Sequence, residues 1–273
     1  MTARPAPVLP PFSLTSQVSG VLPLANGGSL GYIDGAKPTY NNYSQVGLEA
    51  GSAMVNGSLL TWNSPLTVST SGIAALNYIY LYSNSGTATL EKSTTVPVWD
   101  STLGYWKKTG DATRRCVFFV PKELNYNAWV CAKVAPRLWR MIFPGTNANS
   151  AGTQLEEDGM DTWSTVSLPN VLPATAIAAG VQGYLNNMTA AELGGAYCVA
   201  GFNPSSYTVN PDAGGTPFSV FDPAIPASGI TAFLTQDVPL LAGSTLYVGT
   251  YPFSEVAGDV SGAGAVVSIV FEV

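Results

Sequence analysis

Apolar and polar residues alternate along several short stretches of the chain, which is the pattern of β-strands that bury one face. The alternation is clearest in residues 77–82 (NYIYLY) and again in residues 87–91 (TATLE). The residues between them, 83–86 (SNSG), are typical of a tight turn. The pattern therefore predicts a β-hairpin over residues 77–91.

Apolar-rich segments continue after this hairpin, each bounded by Pro, Asn or Gly. Three of them precede residue 144, namely 115–120 (RCVFFV), 128–133 (AWVCAK) and 138–143 (LWRMIF), and together they predict a meander of antiparallel strands. Further strands are expected at residues 162–166, 176–182, 196–200, 229–235, 244–250 and 263–273, with 266–273 as a closing strand. Only residues 188–193 could form a short helical turn.

Turn-forming residues are frequent, with 28 Gly and 20 Pro among 273 residues. Residues 144–152 (PGTNANSAG) are all small, polar or turn-forming, which is typical of a linker. We therefore predict an extended N-terminal arm (1–30), a first β-sandwich domain (31–143), the linker (144–152) and a second β domain (153–273). The predicted fold class is all-β, with antiparallel β-sandwich-like domains, and the chain is long enough for two cores.

Only 10% of the residues are charged, against about 25% in typical soluble globular chains. Ser, Thr, Asn, Gly and Tyr must therefore cover the surface, as they do in extracellular β proteins, virion shells and fibres. Residues 1–17 (MTARPAPVLPPFSLTSQ) have Pro where a secretory signal would have a continuous apolar segment, so we expect an arm instead. No stretch approaches the roughly 18 uninterrupted apolar residues of a membrane helix, and we expect no membrane insertion.

The basic residues are confined to the first part of the chain. All 11 Lys and Arg lie between Arg4 and Arg140, together with 6 acids, whereas residues 141–273 hold 11 acids and no base. The two parts carry net charges of about +5 and −11, which give the −6 of the whole chain. Two interpretations stay open: two domains that merely differ in composition, or basic and acidic surfaces that meet other subunits or one another in an assembly.

Four basic residues surround a predicted turn at Gly110 and Asp111: Lys107, Lys108, Arg114 and Arg115. Aromatic residues stand nearby, and basic residues interleaved with aromatic ones can bind nucleic acid or anionic glycans. Because the second half of the chain has no basic residue, we do not expect nucleic acid as a partner. The favoured interpretation is a tight β-turn whose Asp pairs with one Arg, and the four basic residues are candidates for a charged contact.

The sequence contains no histidine, the commonest general base and transition-metal ligand. Ser-His-Asp, Cys-His and zinc-hydrolase mechanisms are therefore excluded. A glycosidase needs only two carboxylates, so a polysaccharide depolymerase stays open as a less favoured interpretation. No acid stands in a more persuasive motif than Asp100 beside Trp99. We expect a protein that is not an enzyme and needs no cofactor.

Three cysteines and one acidic cluster are the remaining candidates for chemistry. Cys116, Cys131 and Cys198 are odd in number and lack metal-binding spacing, so we expect buried thiols. A Cys116–Cys131 disulfide is conceivable if their strands pair, although a host cytosol disfavours it. Residues 156–161 (EEDGMD) place four carboxylates around one Gly, a composition that Ca²⁺ can use, but they do not match an EF-hand. A solvated acidic loop is the favoured interpretation, and we predict no metal site.

Residues 14–29 (LTSQVSGVLPLANGGS) resemble the LTSQVTGxLPxANGGTG segment that recurs in tail fibres and related appendage proteins of tailed bacteriophages. Its Gly residues permit backbone conformations that a Cβ resists, and its Pro fixes an extended stretch, as an arm threading among subunits requires. In that family the segment precedes or joins globular fibre domains, and such fibres are usually trimers. The resemblance implies a virion-anchoring arm that includes Val18, Gly20, Leu22, Pro23, Ala25, Asn26, Gly27 and Gly28.

Residues 104–115 (GYWKKTGDATRR) are similar to a KTGDxTRR pattern of virion structural proteins, which follows a strand–turn–strand unit as it does here. The two resemblances imply a bacteriophage virion structural protein, specifically a tail-fibre-like appendage subunit for particle assembly and host attachment. It would be made in the host cytoplasm and located in the virion. The implied partners are other virion proteins, further copies in a homotrimer and, at the host surface, a glycan. A capsid decoration protein is the alternative.

Overall fold

The computed structural model describes residues 31–42, 44–71, 75–121, 129–143, 154–157, 163–167, 171–187, 195–200, 219–221, 231–240, 245–252 and 260–273. The predicted arm and linker lie outside these ranges. The described residues form 21 strands and no helix. In chain order the strands are β1 Ile33–Gly35, β2 Pro38–Asn42, β3 Gln45–Leu48, β4 Gly51–Val55, β5 Ser58–Trp62, β6 Leu66–Ser69, β7 Asn77–Asn84, β8 Thr87–Ser93, β9 Pro97–Asp100, β10 Tyr105–Lys108, β11 Asp111–Val120, β12 Val130–Ala135, β13 Leu138–Ile142, β14 Gln154–Glu157, β15 Trp163–Ser167, β16 Ala176–Asn187, β17 Gly195–Ala200, β18 Ser219–Phe221, β19 Thr231–Pro239, β20 Thr245–Pro252 and β21 Val260–Glu272.

These strands form five sheets. Two small sheets have the orders β1-β4-β5 and β2-β3-β6, and a central sheet has the order β8-β7-β11-β10-β9. A long-strand sheet follows the order β12-β13-β21-β16-β19, with β14 also paired to β21, and the last sheet is β15-β20-β17-β18. Neighbouring strands pair in the antiparallel sense, for example β7 with β8 and β16 with β21. The predicted all-β, antiparallel, sandwich-like fold class is confirmed for the described residues.

The predicted hairpin is confirmed as β7 and β8, which pair from Tyr78↔Ser93 to Asn84↔Thr87. Ser85 and Gly86 connect them with φ angles of 50° and 88°. Two consecutive residues with positive φ match the twist of a two-residue β-turn to that of the flanking strands, which is why Gly is favoured there. The turn is shorter than the predicted 83–86, because β7 continues through the polar residues 83 and 84.

The predicted meander is wrong in its order. The second neighbour of β7 is β11, and β9 and β10 lie on the far side of β11. The hairpin of β12 and β13 joins the long-strand sheet instead. Alternation identifies a strand from its own residues, whereas the choice of partner depends on side chains that are distant in the sequence.

The long-strand sheet contains strands from both sides of the predicted linker. β13 pairs with β21 from Leu138↔Glu272 to Ile142↔Ser268, so residues 130–142 share a sheet with residues 176–187 and 260–272. The predicted closing strand is therefore an interior strand, flanked by β13 and β16. The domain boundaries at residues 143 and 153 stay a prediction, but hydrogen bonding in the sheet continues across them.

The first part of β7 and the second half of β11, in the middle of the central sheet, are covered on both faces. Consecutive residues of a strand point to opposite faces, and Ile79, Tyr80 and Leu81 are all fully buried. Phe119 of this sheet packs edge-to-face on Phe271 of the long-strand sheet, with ring centroids 5.0 Å apart. The buried side chains from Ala36 to Val273 form one connected cluster. A single hydrophobic core therefore joins the two halves of the described chain.

Candidate functional site

The predicted basic turn connects β10 and β11 and is centred on Thr109 and Gly110. Gly110 has a φ of +81°, a conformation that a residue without a Cβ adopts at little cost. Pairing shifts register between Lys107↔Arg115 and Lys108↔Asp111. The four basic side chains have three separate sets of partners, because Lys108 and Arg114 share Glu91 while Lys107 and Arg115 have other partners.

Asp111 organises the start of β11. One of its carboxylate oxygens accepts hydrogen bonds from the backbone N and the hydroxyl of Thr113, at 2.9 and 2.6 Å. The other lies 3.9 Å from Nη1 of Arg114. The expected pairing of the turn Asp with one Arg is therefore confirmed. The hydrogen bonds from Thr113, the hydroxyl bond foremost, hold the pKa of Asp111 below its usual value.

Glu91 of β8 binds two of the basic residues across the outer part of the central sheet. It pairs with Lys108, and its Oε2 lies 2.7 Å from Nε of Arg114. Burial alone would raise the pKa of Glu91, but the hydrogen bonds from Lys108 and Arg114 outweigh it and lower that pKa. The Arg114 guanidinium also lies 3.9 Å from the ring centroid of Tyr82. Both cations are thus engaged by their own chain.

Lys107 is paired on the opposite face of β10. Its Nζ lies 2.6 Å from Asp100, whose Oδ1 also accepts the backbone N–H groups of Thr102 and Leu103 at 2.9 and 3.0 Å. The hydrogen bond from Lys107 is the largest cause of the lowered pKa of Asp100. This ion pair fixes the turn of residues 101–104, whose last residue is Gly104.

Arg115 is not a surface residue, which corrects its assignment as a candidate for an external charged contact. It has no exposed surface and is among the largest fully buried side chains of the described chain. Its Nη1 donates to the carbonyl oxygens of Tyr32 (2.7 Å) and Met54 (3.1 Å), and its Nη2 donates to that of Gly31 (3.0 Å). Burial lowers the pKa of Arg115 to about 9, so the guanidinium remains protonated at neutral pH.

Tyr105 completes the surroundings of this guanidinium. Its ring centroid lies 4.8 Å from Cζ of Arg115, within the range of a cation–π contact. The Tyr105 hydroxyl accepts the backbone N–H of Asn56 at 2.8 Å and donates to the carbonyl of Ala112 at 3.3 Å. Strand alternation alone requires one of two adjacent arginines to face inward. That signal could have identified a buried Arg, although it does not say which of the two it is.

The N-terminal arm joins the body of the chain, residues 31–273, at the same place. Gly31 has no room for a side chain, because a Cβ there would overlap the carbonyl oxygen of Gly104 and lie 2.6 Å from Nη1 of Arg137. Arg137 in turn pairs with Glu272 at 2.6 Å and lies over the ring of Trp99 at 4.9 Å. Residues 31–32, the first residues of the body and the root of the arm, therefore lie against the central sheet and beside Arg137, which in turn binds the last strand. The predicted anchoring residues 18–28 themselves lie outside the described residues.

The other candidates are the cysteines and the acidic cluster. Cys116 and Cys131 are free and buried, so the conceivable disulfide between them is wrong: β11 pairs with β7 and β10, and β12 pairs with β13. The side chains of Cys198 and of the acidic residues 156–161 lie outside the described residues. In the part of the chain that the structure describes, no group of three or more Cys, Asp or Glu could hold a metal ion. Nor does any helix there have the length and apolarity to cross a membrane.

Comparison with known proteins finds no matching family model and no matching curated protein. Among solved structures, an arabinose-bound α-L-arabinofuranosidase has a TM-score of 0.27 at 10% identity and covers 52% of this chain and 23% of its own. The insecticidal delta-endotoxin Cry8Ea1 of Bacillus thuringiensis has a TM-score of 0.26 at 12% identity and covers 89% of this chain and 52% of its own. Infectious bursal disease virus, Gx strain, has 0.25 at 11% identity, with coverages of 88% and 70%. The chain thus spans about a quarter and about half of the first two structures, and likenesses this weak carry no argument about function.

Proposed function

We propose that this chain is a structural protein of a tailed-bacteriophage virion, a tail-fibre-like appendage subunit for particle assembly and host attachment. The observation that carries the proposal is the segment 14–29, which resembles the arm of such appendages over sixteen consecutive positions. The arm would anchor the subunit in the particle. The β-strands of residues 31–273 would face outward.

The chemistry of the body is consistent with this role. Few of its residues are charged, and its exposed large apolar residues include Val98 and Trp99 on β9 and Val130 and Val134 on β12. β9 and β12 are also edge strands of their sheets. Apolar side chains at open edges favour association with other chains. We propose a homotrimer, with other virion proteins as partners and a host cell-surface glycan as the distal ligand, without catalysis, a cofactor or nucleic acid.

The proposal is tested by deleting the arm. Phage particles that lack this protein are complemented with the full-length chain or with a chain that lacks residues 1–29. The truncated chain should fold, because the arm supplies few apolar side chains to a core, but it should be absent from purified particles. Circular dichroism checks folding, and quantitative immunoblotting measures occupancy.

A chain in which residues 14–29 are scrambled is the matched control, since it keeps the length and composition of the arm. It should fail to incorporate as the deletion does. Normal occupancy of the truncated chain would contradict the anchoring role. Gold labelling of particles that carry the full-length chain distinguishes the alternatives, since a label on the tail supports an appendage and a label spread over the head supports a capsid decoration protein.

A further inference from the structure

Arg115 is an unusual residue to bury at this position. Placing a cation in the interior is costly unless its geometry and hydrogen bonds compensate, and in the described part of the chain no carboxylate lies within ion-pair distance of Arg115. Its Nε finds no hydrogen-bond acceptor there. An apolar side chain of similar size would avoid that cost. Stability alone therefore does not account for this arginine.

The hydrogen-bond acceptors of Arg115 indicate its role in the fold. All three are backbone carbonyls on two separate segments: Gly31 and Tyr32 at the root of the arm, and Met54 on β4. The guanidinium presents several N–H donors in a planar fork, so one side chain can hold both segments at once. Tyr105, fixed through its hydroxyl, supports the fork from the central sheet.

Apart from Arg115 and the close contacts of Gly31, the arm root is held by a short strand pairing and by a hydrogen bond between the hydroxyls of Tyr32 and Ser52, at 3.2 Å. β1 has three residues and pairs with β4 over Ile33↔Ala53 to Gly35↔Gly51. One further backbone hydrogen bond, from Met54 N to Tyr32 O at 3.0 Å, extends this pairing toward the arm. Strands this short, at the edge of a small sheet, are only marginally stable by themselves.

Two further groups lie close to the arm root. Gly31 packs against the carbonyl of Gly104 and the guanidinium of Arg137, with no space for a Cβ. The turn that presents Gly104 is fixed by Asp100 and Lys107, and Arg137 is held by Glu272. Gly31 therefore lies between the turn at Gly104 of the central sheet and the Arg137 side chain of the β12–β13 turn.

We propose that Arg115 is a positioning residue for the N-terminal arm: it clasps residues 31–32 against β4 and the central sheet, so that the arm leaves the body at a fixed point and in a fixed direction. What the arm then binds rests on the proposed function. The clasp itself is a property of the isolated chain. A fixed exit would orient the subunit relative to the particle, where a flexible junction would not.

Hydrogen exchange of the full-length protein, followed by mass spectrometry, tests the clasp. In Arg115→Met the body should stay folded, because methionine fills much of the space without a buried charge, while residues 31–36 lose protection. Residues 77–84 of β7 should keep theirs. Arg114→Met is the matched control: it removes the adjacent arginine, which binds Glu91 and Tyr82, and should leave residues 31–36 as protected as in the parent.

A second variant covers the case in which Arg115→Met does not fold. Gly31→Ala leaves Arg115 in place and displaces the root by overlap with Gly104, so it should deprotect residues 31–36 selectively. Parental protection of these residues in folded Arg115→Met, or in Gly31→Ala if the first variant is unfolded, would overturn the clasp. Neither result depends on particles, so a failure of the clasp is distinguishable from a failure of the anchoring test.

Discussion

Arg114 and Arg115 are adjacent in the sequence and lie on opposite faces of β11. Arg114 stays at the surface, between Glu91 and the ring of Tyr82, whereas Arg115 is fully buried against backbone carbonyls. A variant in which both arginines are replaced by glutamate therefore cannot test association through the surface, because it also changes a buried residue. A glutamate at position 115 would place an anion among three carbonyl oxygens and unfold the root of the arm. Surface experiments on this hairpin should use Arg114 only.

Cys116 and Cys131 are predicted to be chemically silent in the folded protein. Burial raises the pKa of each thiol above its ordinary value, and the thiolate is the reactive form. We expect neither residue to be alkylated by iodoacetamide at mildly alkaline pH, and both to be alkylated in denaturant. Peptide mass spectrometry assigns the label to each cysteine.

An exposed thiol is the control for that measurement. Ser64 is exposed, so a Ser64→Cys variant should be labelled in the native protein under the same conditions. Labelling of Cys116 at a rate similar to that of the introduced cysteine would contradict its burial between the sheets. Cys198 is scored separately, since its peptide is distinct.

At the scale of elements, the outer face of the central sheet is predicted to depend on the charge of Glu91. Its folded pKa lies below the ordinary 4.5, so the ionised group contributes stability that is present above that value. This stability is lost as the pH falls through the folded pKa. Glu91→Gln should destabilise the protein by about 1 kcal/mol at neutral pH, since hydrogen bonds to a partly exposed charge are weakened by solvent.

The effect of Glu91→Gln is most distinctive in the acidic range of the profile of stability against pH. Chemical denaturation over the acidic range should show a shallower loss of stability for Glu91→Gln than for the parent. Glu49→Gln is the control, because it removes an exposed carboxylate that pairs with Lys37 at 3.5 Å. Equal losses of stability over the acidic range for the parent and Glu91→Gln would show that Glu91 has no such role.

At the scale of the whole molecule, the division of charge along the chain is partly resolved within the fold. Arg137 pairs with Glu272, and Arg140 pairs with Asp237, so basic residues of the first part meet acids of the second. Arg140 stands opposite Val270 on β21, while Asp237 stands opposite Gly180 on β16. The guanidinium of Arg140 extends over the face of the sheet to reach Asp237, because Gly180, which lies between them, has no side chain. Both pairs lie within one chain, so the meeting of basic and acidic surfaces in an assembly stays a prediction.

The Arg140–Asp237 pair is predicted to be weak but measurable. Both side chains are partly exposed, and such pairs typically contribute about 0.2–1 kcal/mol, less at high salt. Arg140→Glu should lower the free energy of unfolding by a similar amount, and adding Asp237→Arg should restore part of it. Denaturation of the two single variants and the double variant, at low and high salt, measures this coupling. A coupling of zero at low salt would contradict the pairing.

The sequence by itself determined the structural features that depend only on residues close together in the chain. Alternation in residues 77–82 and the turn residues after it were sufficient for the β7–β8 hairpin, because side-chain direction and turn conformation are local properties. The pairing of Asp111 with Arg114 was predictable for the same reason, since the two residues lie three positions apart. The all-β fold class follows from repeating such local signals along the chain.

Only the tertiary structure decided which strands pair and which charges are buried. The pairing of β13 with β21 places the β12–β13 hairpin in the long-strand sheet, because its apolar side chains pack with residues more than a hundred positions away. The burial of Arg115 depends on carbonyl groups of residues 31, 32 and 54, which chain folding alone brings to it. Long-range contacts of this kind leave no periodic trace in the sequence, since each partner satisfies the same local pattern with or without the other.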